Sequence, residues 1–401
     1  MRPLEGLKIL DFTHVLAGPF ATRTLADMGA DIVKINTVSR GGVNGPNNPY
    51  FVIWNRNKRT LALNVQVDGA IPVCKELINQ ADVVIDNFSL GVLDRWGVGY
   101  ETMSKSNEGV VYVQMSGLGA GGPQSHYVTY APTIHAMAGL TYLTGVEGRE
   151  DIGIGFSYLD HLAGLHAAIA ILSAIEDRNQ TGIGQKVDMA QFEVGANLIG
   201  PTLFDYFANG VVASPKGNKQ PYDCIAPHGC YQCYSTSKET KDERWIAIVC
   251  ETEEQWLSLR KLMGEPEWAS GDKFQSAEAR WQNSEELDTH ISNWTKDQDS
   301  NELMYRLQAA GVPAGVVQTS EDMVESDPQL RVTDFLRPAE GLHPTMGHTF
   351  ADRLPLYFEK TPCDDYQRSR VLGEDNQEIL KDWLGYSTEE IKRGEASGIY
   401  E

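Results

Sequence analysis

The chain has 401 residues, of which 41% are hydrophobic and 22% charged, which is enough apolar material for two or three packed units. Lys and Arg number 34 against 55 Asp and Glu, a net charge of −21 that repels phosphate backbones and anionic lipid. We therefore expect neither nucleic acid nor a membrane as a partner. No apolar run reaches the roughly 18–20 residues of a membrane span, and no apolar signal core follows Met1. With six scattered cysteines, these features predict a cytoplasmic protein.

Short β-branched segments alternate with helical segments in the early part of the chain. Strands are expected at 7–12, 31–35, 60–64, 82–86 and 109–115, and helices at 17–28 and at 69–79. This alternation is typical of a parallel sheet with helical crossovers. Such sheets bind ligands beyond the carboxyl ends of their strands.

Later segments predict a second, smaller unit. A long Ala- and Leu-rich helix is expected from Tyr158 to Arg178, followed by a polar stretch at 210–229 that resembles a linker. Another αβ-patterned unit follows, with its clearest strand at 244–249, and a final helix is expected at 376–384. The predicted fold class is α/β, with two domains and a linker on each side of the smaller one.

Two local motifs suggest ligand sites but fit them poorly. Residues 116–123 form a glycine-rich loop after a strand, yet no helix opens on its last glycine, so a dinucleotide fingerprint is disfavoured and a loop of backbone donors is favoured. Cys224, His228, Cys230 and Cys233 have side chains that zinc accepts, but they crowd together without a second ligand pair at a defined spacing. We expect packing roles for them and no metal site.

Asp160 is the strongest catalytic candidate. It opens the long helix within a glycine-and-aromatic segment, 153–164. The residues alone leave two interpretations about equally open: an ordinary acid at a helix N-terminus, or a catalytic carboxylate. His161 follows directly and could shape the environment of the acid, whereas His166 fits the apolar helix pattern and is expected to be structural.

Several ordered blocks resemble the class III CoA-transferases, the family of the formyl-CoA and carnitine CoA-transferases. The blocks span nearly the whole chain and are densest from Asp160 onward. They are residues 7–19, 25–35, 55–59, 86–88, 91–97, 138–140, 144–145, 160–188, 311–315 and 372–376.

The resemblance implies a large Rossmann-like domain built from both chain ends (1–205 and 340–401), a small domain (230–325) and linkers at 206–229 and 326–339. It also implies two interlocked subunits, either a homodimer or a heteromer with a related subunit. The family's nucleophile falls on Asp160. Its CoA contacts fall on His14, Val15, Ala17, Leu63, Asn87, Phe88 and Arg95. Lys58 and Arg59, with Arg95, are expected to bind the phosphates of CoA.

Two departures from the family pattern are visible. An acidic residue usually follows the second strand, but here Asn36 and Thr37 stand there, with Arg40 as a possible basic substitute. The longer glycine loop of some members is shortened to 226–230, which puts protection of a reaction intermediate in doubt. Backbone N–H groups near Gly119, Gly121 and Gly229 are candidate oxyanion donors.

The predicted function is transfer of CoA from an acyl-CoA donor, succinyl-CoA being one possibility, to a carboxylic acid through an aspartyl intermediate. No permanently bound cofactor is expected, and CoA thioesters are substrates. Tyr130, His135 and Gly229 are expected to contact the acceptor, a hydrophobic or aryl-substituted succinate or a carnitine-like acid. Two alternatives remain: an acyl-CoA racemase, in which His126 or His135 would replace a missing histidine, and a non-catalytic CoA-binding subunit.

Overall fold

The computed structural model describes residues 2–37, 45–221, 223–235 and 243–401. Arg40 therefore lies outside the described residues. The chain forms two compact units. The first comprises Met1–Thr141, Gly153–Val212 and Gln329–Glu401, and the second comprises Tyr142–Ile152 and Ala213–Pro328. The predicted large domain, 1–205, included residues 142–152, which belong to the second unit in the structure.

The elements up to residue 209 belong mainly to the first unit. In chain order they are β1 (Lys8–Asp11), α1 (Ala17–Asp27), β2 (Asp31–Asn36), α2 (Pro49–Trp54), β3 (Arg59–Ala62), α3 (Ala70–Gln80), β4 (Val83–Asp86), α4 (Val92–Arg95), α5 (Tyr100–Ser106), β5 (Val111–Ser116), α6 (Ala131–Met137), α7 (Leu140–Leu143), α8 (Tyr158–Thr181), β6 (Lys186–Ala190), α9 (Gln191–Leu198) and α10 (Gly200–Asn209).

The remaining elements complete both units. They are β7 (His228–Gln232), β8 (Trp245–Val249), α11 (Glu253–Leu262), α12 (Ala277–Gln282), α13 (Ser284–Thr295), α14 (Ser300–Ala309), β9 (Ala314–Val316), α15 (Pro328–Val332), β10 (Leu336–Pro338), β11 (Phe350–Asp352), α16 (Asn376–Leu384) and α17 (Thr388–Ala396). The segments expected to be linkers thus contain the end of α10, all of α15 and strand β10.

The first unit is built on a six-stranded parallel sheet in the order β3-β2-β1-β4-β5-β6. The predicted α/β class is confirmed. Alternate residues of each strand enter opposite cores: Leu10 packs with α3, α5, α16 and α17, whereas Ile9 packs with α1 and α8. The strand order reverses between β1 and β4, so their carboxyl ends flank the crevice where such sheets bind ligands.

A buried ion cluster lies at the carboxyl end of β1. Asp11 accepts hydrogen bonds from Lys34 and Lys58, each 3.2 Å away, and from the hydroxyls of Thr13 and Thr22, each 2.6 Å away. These cations and hydroxyls hold the pKa of Asp11 far below its usual value, despite complete burial. The cluster anchors the loop that leads from β1 into α1.

The second unit carries a small antiparallel sheet in the order β7-β8-β9. Its core contains Trp256, Leu259, Ile291 and Leu303 from the surrounding helices. A further antiparallel pair, β10 and β11, belongs to the first unit.

By length and composition, α8 is apolar enough to cross a membrane, which differs from the expectation that no segment would be. This is weak evidence for a span, because core helices pass the same test. In α8, 39% of the most apolar window is buried, and Gly164 packs directly on α1.

Candidate active site

Asp160 lies in the first turn of α8, and its carboxylate is held by a residue from α9. The Gln191 side-chain amide donates a hydrogen bond to Asp160 Oδ1 at 2.7 Å. Burial raises the pKa of Asp160, while hydrogen bonds from Gln191 and Ser157 lower it, and the net pKa lies above the usual 3.8. A partly dehydrated, oriented carboxylate is a better nucleophile than one in water.

Aromatic rings pack around His161, the residue after Asp160. The ring of His161 stacks on Phe156 at 4.9 Å and meets Phe20 and Trp54 edge to face at 4.9 and 5.2 Å. His161 Nδ1 lies 2.8 Å from the Ser157 carbonyl oxygen, which fixes the ring. We call Phe20, Trp54, Phe156 and His161 the aromatic cluster. It forms an aromatic surface around the residue that follows Asp160.

His135 and Tyr130, the two expected acceptor contacts near α6, differ in their exposure. His135 is buried, and its Nε2 accepts a hydrogen bond from the Leu159 N–H at 3.1 Å. Burial lowers the pKa of His135, so the ring is neutral. This nitrogen therefore supports the first turn of α8 and is not free to exchange a proton with a substrate. Tyr130 is 68% exposed at the start of α6.

The loops after β1 and β4 are joined at the topological switch point. The Asn87 side chain accepts from the His14 N–H at 2.7 Å and donates to the His14 carbonyl at 2.8 Å, and the rings of His14 and Phe88 are 5.2 Å apart. Asp86, whose pKa burial raises to about 6, accepts from the Phe88 N–H and from the Tyr112 hydroxyl. The structure thus brings three predicted CoA contacts together.

We call the pair of hydrogen bonds between Asn87 and the His14 backbone the clamp. A cavity of about 170 Å³ opens beside it. His14, Leu63 and Phe88 line it, as do residues that the sequence analysis did not assign to the site. These are Phe12, Ile35, Asn36, Thr37, Asn64, Val65, Gln66 and Trp96. Except for Trp96, which follows α4, these residues lie at or just after the carboxyl ends of β1, β2 and β3, so their position in the topology is the signal that would have found them.

Val15 lies between β1 and α1, and Ala17 follows two residues later. Val15 has a φ of 64°, which is an outlier for a β-branched residue and marks local strain. Ala17 is buried and is the first residue of α1. Strained backbone next to a crevice is common at ligand sites.

Lys58 and Arg59 differ from the expectation that they bind phosphates. Lys58 is buried, and its Nζ donates to Asp11, to the Pro19 carbonyl and to Asn55. Arg59 is paired with three carboxylates, those of Asp31, Glu378 and Asp382. The sequence shows the charges but not these long-range partners. Arg95, in contrast, is exposed on α4.

The glycine positions are spread over both units. Gly229 lies in β7 of the second unit, opposite Ile248. In the glycine-rich loop, the Ala120 N–H is bound to Asp188 at 2.8 Å, while a Cβ on Gly121 would meet nothing within 4 Å. The role of these backbone groups as oxyanion donors stays a prediction.

The cysteine motif gives no metal centre in the described part of the chain, where no three His, Cys, Asp or Glu side chains are grouped to hold an ion. Cys230, within β7, is exposed, whereas Cys233, the residue after β7, is buried. Their side chains therefore face different environments.

A parallel doubly wound sheet, a crevice at its switch point and a half-buried, hydrogen-bonded carboxylate are features of an α/β enzyme. The chain belongs to CoA-transferase family III, whose family model matches residues 4–376. It is therefore a CoA-transferase, and CoA thioesters and acids are its substrates. The predicted family is confirmed.

Named relatives cover almost the whole chain. It is 30% identical to the succinyl-CoA:glutarate CoA-transferase of Mus musculus, covering 100% of this chain and 91% of that one. It is also 30% identical to the succinyl-CoA–L-malate CoA-transferase beta subunit of Chloroflexus aurantiacus, with coverage of 97% and 96%. Among solved structures, a CAIB/BAIF family protein from Brucella suis matches with a TM-score of 0.85 at 30% identity, covering 95% and 99%.

Proposed function

We propose that this chain transfers CoA from succinyl-CoA to a carboxylic acid through a covalent intermediate on Asp160. The observation that carries the proposal is the half-buried Asp160 carboxylate, which Gln191 orients and which is followed by His161 of the aromatic cluster. Succinyl-CoA is the donor in the names of both relatives. Each step needs only a carboxylate and a thiolate as nucleophiles.

The proposed reaction has four substitutions. An Asp160 oxygen attacks the thioester carbon of succinyl-CoA. The C–S bond breaks, CoA departs as a thiolate, and a mixed anhydride of Asp160 and succinate forms. The thiolate then attacks Asp160 Cγ, releasing succinate and forming an aspartyl-CoA thioester. The acceptor carboxylate attacks the same carbon and expels the thiolate. The thiolate finally attacks the acceptor's acyl carbon, which releases the new acyl-CoA and free Asp160.

The CoA nucleotide is proposed to bind at the carboxyl ends of β1–β4. The cavity there offers the Phe88 and Trp96 rings beside polar side chains from Asn36 and Gln66. Val15, on the loop after β1, and Arg95, at the end of α4, remain proposed contacts. The large distance that CoA can span suits a nucleotide site separate from the reacting acid.

The acceptor is proposed to be an acid with a hydrophobic or aryl body, such as a substituted succinate. The aromatic cluster supports an apolar group next to Asp160, and the 59% exposure of Phe156 leaves a ring available to a substrate. Both relatives are named for short dicarboxylates, so a second carboxylate on the acceptor is part of the proposal. Tyr130 stays a proposed acceptor contact, and the role of Gly229, which lies in the second unit, stays a prediction.

The test is intact mass spectrometry of the protein mixed with succinyl-CoA, followed by peptide mapping. We expect a CoA adduct on Asp160 that hydroxylamine removes and that Asp160→Ala cannot form. Asp177→Ala, which removes an exposed acid from the same helix, is the matched control. Absence of the adduct together with exchange of the acyl α-proton in deuterium oxide would contradict the proposal in favour of a racemase.

We also propose that a second copy of this chain, or a related subunit, covers α10. No residue of α10 is buried, and its apolar side chains are largely exposed: Leu203 (51%), Phe204 (70%), Tyr206 (62%) and Phe207 (86%). Contiguous exposed apolar surface marks an interaction site. Native mass spectrometry should give at least twice the 44.4 kDa chain mass, and Phe207→Asp should shift it toward one chain. A monomeric wild type would overturn this assembly.

A further inference from the structure

The Gln191 amide is bound to an oxygen on the carbon that is attacked in the proposed reaction. Its role in that reaction, inferred below, rests on the proposed function. In two of the four steps a nucleophile attacks Asp160 Cγ, or a thiolate leaves it. Each passes through a tetrahedral state in which the carbonyl oxygen on Cγ carries negative charge. The Gln191 amide is bound to one of the two oxygens on that carbon, Oδ1, at 2.7 Å.

We propose that the Gln191 side-chain amide is the oxyanion donor for the attacks on Asp160 Cγ. With Oδ1 engaged by the amide, Oδ2 is the oxygen that attacks the donor thioester and becomes the bridging oxygen of the anhydride. Oδ1 then remains as the carbonyl oxygen. When thiolate adds to Cγ, the electron pair of this carbonyl moves onto Oδ1, where the N–H already points. When the tetrahedral state collapses, the pair returns and the carboxylate or thiolate leaves.

The backbone is fixed on both sides of Gln191, which an oxyanion donor requires because reorganisation would cost part of its effect. Ala190, which precedes it, pairs with Ser116 of β5. The following N–H, that of Phe192, donates to the Gly117 carbonyl at 2.8 Å. The amide is therefore carried by the sheet and not by a mobile loop.

Close packing links the same helix to the turn that carries Asp160. A Cβ on Gly195 would lie 2.6 Å from Ala138 Cβ and 2.9 Å from Leu159 Cδ1. Helix α9 therefore touches the residue next to Asp160 directly, which ties the spacing between donor and acceptor to packed backbone. An amide also neither gains nor loses a proton, so the bond persists across the working pH range.

Ser157 is the other group that hydrogen-bonds this carboxylate. Its hydroxyl rotates about a single bond and serves as either donor or acceptor. It therefore lacks the fixed donor geometry of the amide, and Ser157→Ala is expected to cost less activity than Gln191→Ala.

The experiment measures exchange of ¹³C-succinate into succinyl-CoA, which requires both the anhydride and the aspartyl-CoA steps but no acceptor. For Gln191→Ala we expect kcat to fall roughly 100-fold or more, the effect of removing one oxyanion donor, with the KM for succinyl-CoA within about threefold of wild type. Gln191→Glu keeps the shape and loses the donor, so it should fall at least as far. Gln180→Ala removes a similar hydrogen bond, from Gln180 to Glu176 at 2.9 Å on the exposed face of α8. This variant should exchange succinate at the wild-type rate.

Two failures are distinguishable. If the wild type forms no CoA adduct on Asp160 and shows no exchange, the proposed function fails and this inference fails with it. Suppose instead that the wild type forms the adduct and that folded Gln191→Ala exchanges at the wild-type kcat, with or without a higher KM. The oxyanion role alone is then overturned. A fall in kcat for both Gln191 variants, at a thermal midpoint close to that of the wild type, supports it.

Discussion

Replacing Gly164 by alanine should slow catalysis, because it forces apart the two helices that pack at this residue. Gly164 lies inside α8, one turn after Asp160, and packs against α1. A Cβ there would lie 2.7 Å from the Ala17 carbonyl oxygen, 2.9 Å from Phe20 Cδ1 and 3.2 Å from the Ala21 nitrogen. Two of these atoms are backbone, so no side-chain rotation relieves the contact.

The structure sets the size of the effect. To reach ordinary contact distances the two helices must separate by roughly 0.5–1 Å. Gly164 is only about 6 Å along the helix axis from Asp160, so the carboxylate moves by a similar amount relative to the loop after β1. A 1 Å misplacement can cost about 100-fold, so we expect kcat to fall about 10- to 100-fold. Overpacking costs about 1–3 kcal/mol, which the better helix propensity of alanine offsets by about 1 kcal/mol.

The assay pairs the succinate exchange reaction with urea unfolding. Ser173→Ala is the control, because it places alanine in the same helix at an exposed position. The reasoning is refuted if Gly164→Ala keeps the wild-type kcat and gains stability as the control does. That result would mean that α1 and α8 are not in the close contact that places Asp160.

Three other predictions concern charge and hydrogen bonding. Because burial raises the pKa of Asp160, kcat/KM should fall as the pH drops through a value above 3.8, and in Gln191→Ala that limb should move to higher pH; a pH profile checks both. Burial, with the charge of Lys34, lowers the pKa of Lys58 from 10.5 to about 7, so the unfolded chain keeps its proton longer than the folded protein. The free energy of unfolding should therefore gain up to about 1.4 kcal/mol per pH unit above pH 7, and Lys58→Met, measured by urea unfolding, should lose that gain. Asn87→Ala removes both bonds to the His14 backbone, about 1 kcal/mol each, and should raise the KM for succinyl-CoA about tenfold at similar kcat; an unchanged KM would contradict the clamp.

The sequence predicted the central elements because their signals are local. Buried strands such as β4 read as continuous β-branched runs, and α8 and α16 begin at the predicted residues. Strand β6 was missed. It is an edge strand whose residues are partly exposed, so Lys186 and Asp188 interrupt the apolar run.

The candidate nucleophile was also within reach of the sequence, because an acid at a helix start and a family resemblance both point to Asp160. Its environment was not. Gln191 is 31 residues away, and His135 contacts the turn through a neighbouring backbone N–H. Side-chain pairs of this kind follow from how helices pack on a sheet, and no periodicity records them.

The partners of the charged side chains were the least predictable feature from the sequence alone. The basic character of Lys58 and Arg59 is plain in the sequence, yet the fold turns both toward carboxylates of the chain itself. A buried cation needs a paired anion, and only the tertiary structure decides which anion is near. The sequence by itself determined the alternation of strands and helices, the family and the acid that is proposed to react. The packing of distant segments determined which amide holds that acid, which loops meet at the switch point and which charges remain free for a ligand.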